Sequence, residues 1–154
     1  MKEINLNQEY LLGIVLFLCI GAVFDIRFKK LPIVYLLVGI IYAVIVTIIE
    51  IMRSSQNRMS LLITLTIAIV LLVLFYFTRG GIGMGDGIII LICSCSMTYD
   101  RYLSFLFFSF LASAAFSLVL VLTKKVSRKK EIPFVPFMFF VGVIISILEL
   151  GGGG

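Results

Sequence analysis

Charged and polar residues divide this chain into six apolar runs. After a polar lead, residues 1–9, the first run spans residues 10–24 and meets Asp25. Its fifteen residues make roughly 22 Å of helix against roughly 30 Å of hydrocarbon, so the helix is expected to continue through Asp25 toward Phe28, with the acid just inside the membrane edge. Pro32 suits the first turn of a second run, residues 31–49. A polar turn at 50–58, with Ser54-Ser55-Gln56-Asn57 at its tip, separates this from a third run, residues 59–78. Next comes Gly80-Gly81-Ile82-Gly83-Met84-Gly85-Asp86-Gly87, five glycines around one acid. The fourth run, 88–98, has eleven residues, roughly 16 Å as helix, and is expected to cross only if the glycine hinge lies within the membrane layer, which submerges Asp86. Residues 102–123 and 132–148 form the fifth and sixth runs, joined by a basic loop at 124–131. The pattern predicts an all-α, polytopic membrane protein of six transmembrane helices, the fourth short and preceded by a glycine-rich hinge. Residues 1–150 read as a single membrane-embedded domain, and Gly151 to Gly154 as a linker or scar.

Composition agrees with the pattern. The chain is 62% hydrophobic and 14% charged, with a mean hydropathy of +1.22, far outside the range of soluble domains. Its net charge of +5 does not call for nucleic acid, because the cations gather in short loops, where they encode topology. With six spans, one side holds nine cations (Arg27, Lys29, Lys30, Arg79, Lys124, Lys125, Arg128, Lys129, Lys130) against four on the other (Lys2, Arg53, Arg58, Arg101). If the fourth run did not cross, the split would be five against eight, with the densest cluster outside. Six spans with both termini outside is therefore the expected arrangement in the cytoplasmic membrane. The loop at 124–130 is read as a topology determinant held against anionic lipid.

Under that topology Asp25 and Asp86, sixty-one residues apart, reach the same cytoplasmic face at similar depth. An acid inside a membrane is expensive, and its ordinary meaning is function. Two close carboxylates in a low-dielectric site share a proton, one activating water while the other polarises a carbonyl. The chain has no histidine, which removes serine–histidine and cysteine–histidine catalysis. Cys19, Cys93 and Cys95 lie in apolar runs without metal-ligand spacing, so no metal and no cofactor is expected. Two other readings stand beside the dyad. Acids near helix ends also serve as interfacial partners of cations such as Arg27 and Arg79, and a small transporter subunit could use Asp25 and Asp86 to bind a proton or cation. The glycines form two G-x-x-x-G pairs, Gly81/Gly85 and Gly83/Gly87, suited to helix packing, but packing does not ask for an acid.

The stretch Phe24-Asp25-Ile26-Arg27-Phe28-Lys29-Lys30-Leu31-Pro32, the G-x-G-D at Gly83, Met84, Gly85 and Asp86, and Pro133-Phe134-Val135-Pro136-Phe137 resemble, in this order, three motifs of the type IV prepilin peptidases. The resemblance runs over about residues 10 to 148. It implies a membrane aspartic endopeptidase, active site toward the cytoplasm, that removes the short basic leader of pilin-like precursors. It assigns Asp25 and Asp86 as the catalytic pair, with Gly83, Gly85, Pro133 and Pro136 binding substrate or shaping the site. The prolines also have a plain account as first-turn residues beside an aromatic belt. Two positions depart from the family pattern: Ile33 stands where Asn is usual, and Ile88 where Lys is common. The resemblance is to short members that lack the N-terminal paired-cysteine portion and do not methylate the product, similar to those serving tight-adherence pili or related secretion and competence systems.

Overall fold

A computed structural model describes residues 6–28, 31–53, 55–77, 84–123 and 133–151. They form six helices: α1 (Leu6–Phe28), α2 (Ile33–Arg53), α3 (Ser55–Phe77), α4 (Met84–Ser94), α5 (Tyr99–Leu122) and α6 (Val135–Gly151). Four, α1, α2, α3 and α5, are long and apolar enough to cross a membrane, while α4 and α6 are shorter apolar helices. The arrangement is consistent with a multi-pass membrane protein. Gly80, Gly81 and Gly83, the loop at 124–132 and residues 152–154 lie outside the described residues.

Several helix limits differ from those expected, for physical reasons. α3 begins at Ser55 and α5 at Tyr99, because hydropathy marks the apolar part of a helix and not its polar first turn. Asp100, in that first turn of α5, even suits the positive end of the helix dipole. The fourth helix is displaced toward the N-terminus: it starts at Met84 instead of Ile88 and stops at Ser94 instead of Thr98. Gly85 is therefore a helical residue and not part of a hinge, while Gly87, expected at the start of the fourth helix, lies within it. α6 begins at Val135, leaving Pro133 and Phe134 outside it, and ends at Gly151, so that glycine continues the helix.

α4 ends early because its final carbonyls are taken by other groups. In lipid every backbone polar group must find a partner, and a helix leaves its last four carbonyls open. Here Leu91 O accepts from Ser94 Oγ at 2.7 Å and Cys95 Sγ at 3.6 Å, and Ile92 O accepts from Cys95 N at 3.3 Å. Cys93 O accepts from Ser96 N at 3.1 Å, and Ser94 O accepts from Thr64 Oγ1 of α3 at 3.0 Å. All four are satisfied. From the other side, Tyr102 OH of α5 donates to Ile90 O at 3.3 Å.

The helices pack most extensively as α1 on α6, α3 on α4, α5 on α6, and α2 on α4 and α3. Ile14, Leu18, Ile89, Ile90, Ile92, Tyr102, Phe105, Val135 and Met138 form the fully buried centre. Large apolar side chains such as Ile33, Val34, Leu37 and Ile41 of α2 point outward, as lipid-facing side chains do. Since lipid is as apolar as the core, close contact holds such helices together. Gly39 shows this best: a Cβ there would lie 2.5 Å from both Phe17 Cζ of α1 and Ile92 Cδ1 of α4. Nearby, Tyr35 of α2 stacks on Phe17 at 4.3 Å and donates its hydroxyl to Phe17 O at 2.7 Å.

Candidate active site

The three motifs come together where α1 and α3 finish and α2, α4 and α6 begin, at the level of Phe110 in the middle of α5. Asp25 occupies the last turn of α1, where the dipole of its own helix disfavours an anion. The side chain is nonetheless buried, 7% exposed. α6 compensates: the backbone N–H of Val135, its first residue, donates to Asp25 Oδ2 at 3.1 Å, and the amide of Phe134 bonds to the same carboxyl. Asp25 thus sits at the N-terminus of a helix that is not its own, where dipole and open amides both favour a carboxylate.

The sequence around Val135 explains why its amide is available. Phe134 immediately precedes the helix, its carbonyl accepting from Phe137 N at 3.1 Å and Met138 N at 3.4 Å. Pro136, between them, has no N–H. Phe134 and Val135 are themselves buried, and the Phe134 ring lies 5.2 Å from that of Phe110 on α5. Pro133 and Pro136 are half-buried. These prolines and aromatics therefore build the helix start that meets Asp25.

Asp86 lies in the first turn of α4, half-buried, at the favourable end of its own helix dipole. Its neighbours fix that turn. A Cβ on Gly85 would come 2.9 Å from Cδ1 of Leu31, in the connection that follows Asp25's helix. One on Gly87 would come 3.2 Å from Phe75 Cδ2 of α3. Gly83 lies outside the described residues. Of the two departures, Ile33 is exposed at the start of α2, while Ile88 packs against the core. Sequence reasoning missed Val135, whose backbone amide meets Asp25 and whose side chain gives no signal, and Leu31, an ordinary apolar residue. The spacing Pro-Phe-x-Pro-Phe was the only available clue to the first.

Chemically, the arrangement offers two carboxyls at helix N-termini, at the same end of an apolar bundle. Among the described residues no group of histidine, cysteine and acidic side chains could hold a metal. Cys93 and Cys95 are buried thiols, and Cys19 is half-buried.

No curated protein and no solved structure matches the chain. The model of the type IV leader peptidase family matches residues 12–118, a stretch that includes both acids and the glycine motif and stops before Pro133. By that match the chain belongs to the type IV leader peptidase family, and so to the aspartic peptidases, hydrolases whose substrates are prepilins.

Proposed function

We propose that the protein is an aspartic endopeptidase that removes the short basic leader of type IV pilin-like precursors at the cytoplasmic face of the membrane, with Asp25 and Asp86 as its catalytic pair. The observation that carries the reading is that both acids, far apart in sequence, sit at helix N-termini at one end of the bundle. In the reaction the ionised carboxylate takes a proton from water as the oxygen attacks the scissile carbonyl, and the protonated partner gives its proton to the carbonyl oxygen. Collapse of the tetrahedral intermediate breaks the C–N bond, and the proton first taken from water passes to the leaving amine. Gly85, without a side chain, lets Leu31 close against the turn that carries Asp86. The surplus of cations in the loops at this end supports a cytoplasmic site with both termini outside, on a reading in which all six helices cross.

The test is co-expression with a tagged pilin-like precursor, read as a mobility shift on leader removal. Asp25→Asn and Asp86→Asn are each expected to abolish the shift at unchanged membrane levels, since Asn keeps the shape but cannot exchange the proton. A shift retained in either variant would remove that acid from the chemistry.

A further inference from the structure

We propose that the backbone amide of Val135 is a positioning group for catalysis, holding the Asp25 carboxyl plane in its working orientation. This rests on the assignment of Asp25 to the catalytic pair. The terminal torsion of an aspartate is broad and roughly two-fold, so burial alone leaves its oxygens free to rotate, whereas a working site needs them held within about 10–20°. The 3.1 Å bond from Val135 N to Oδ2 supplies that restraint, and the Phe134 amide reinforces it.

The local sequence directs these amides at Asp25. Pro136 contributes no donor, and the N–H groups of Phe137 and Met138 are both spent on Phe134 O. The donors left at the start of α6 are those of Phe134 and Val135. Because Val135 is completely buried, its amide has no water to turn to, and because α1 packs on α6 more extensively than on any other helix, the restraint is carried by the largest helix contact in the fold. Pro136 is a positioning residue in the same sense: it withholds a donor that would otherwise compete within this turn.

Val135→Pro tests the idea directly, since proline is well accepted at the first helical position yet has no N–H. Loss of one charge-assisted bond is expected to lower kcat about ten- to a hundredfold with KM little changed. Val135→Ala keeps the amide and should recover most of that loss. Met138→Ala, at a buried position further along α6, should lower the unfolding temperature without lowering kcat. Wild-type kcat in Val135→Pro, with Asp25→Asn inactive, overturns the positioning role and leaves the catalytic assignment standing; an active Asp25→Asn overturns the assignment itself. Should Val135→Pro fail to accumulate, 15N-valine-labelled protein gives an independent reading. The Val135 amide resonance is expected to move more in Asp25→Ala than in Asp86→Ala, and an equal or smaller movement overturns the proposal.

Discussion

Gly85 lies against Leu31 so closely that a Cβ would stand 2.9 Å from Leu31 Cδ1. The contact joins the residue before Asp86 to the connection that leaves Asp25's helix. The Leu31 atom is the far end of a flexible side chain, so Gly85→Ala is expected to retain much of its activity. Gly85→Val adds two branches where the Leu31 side chain has no comparable retreat, and should suppress precursor cleavage at least about tenfold, at the scale of the 1–3 kcal/mol typical of overpacking. Cleavage assays after matching membrane levels decide this; a fully active Gly85→Val enzyme would show that the close seat of Leu31 on Gly85 is not needed.

Gly87→Ala presents the opposite balance from the one its sequence suggests. Alanine is the better helix former by about 1 kcal/mol, and from sequence alone the change is expected to be tolerated. The site is tighter than that: the new Cβ would meet Phe75 Cδ2 at 3.2 Å and the Leu72 backbone at 3.8 Å. We expect a net loss of thermal stability in detergent, with Phe75→Leu partly relieving it. A Gly87→Ala protein at least as stable as wild type would mean that Phe75 gives way easily.

Thr64→Val removes the hydroxyl that reaches both Leu61 O and Ser94 O at 3.0 Å while keeping the shape of the side chain. Hydrogen bonds between membrane helices average about 0.6 kcal/mol, and the Ser94 carbonyl would be left unpaired at a fully buried position. The expected result is a stability loss of about 1 kcal/mol, measured by chemical unfolding in mixed micelles. No loss would show that another donor replaces the threonine.

The apolar runs made all six helices legible, and the alternation of cations made one end of the bundle stand out. What escaped was local. Gly85 read as a hinge because glycine in sequence signals a turn, whereas here it answers Leu31 pressing on a helix, and the pressure of Phe75 and Leu72 on Gly87 left no sign in the sequence. The end of α4 escaped because Cys95 to Met97 are as apolar as a helix, while Ser94 and Cys95 turn their side chains back onto Leu91 O. The bond between Asp25 and Val135 joins residues 110 positions apart through a backbone atom, and no side-chain pattern encodes such a partner.

Cleavage should persist in the presence of chelators and thiol-alkylating reagents. No metal-holding group of side chains occurs among the described residues, and Cys93 and Cys95 are buried, away from the aqueous reagent. The check is an in vitro assay with and without each reagent. Inhibition by a chelator that added metal reverses would favour cation binding at the two acids.

The brevity of α4 also bears on the order in which a newly made chain can become an enzyme. Eleven residues offer the insertion machinery only about half the thickness of the hydrocarbon layer. When Ser94 leaves the ribosome, Thr64 has already emerged and can close its carbonyl, but Tyr102, the donor to Ile90 O, has not. Asp25 waits longer still, until Val135 is made. On the proposed roles, a nascent chain halted before α6 would hold both aspartates and lack the amide that orients the first of them, so proteolytic competence would wait for α6.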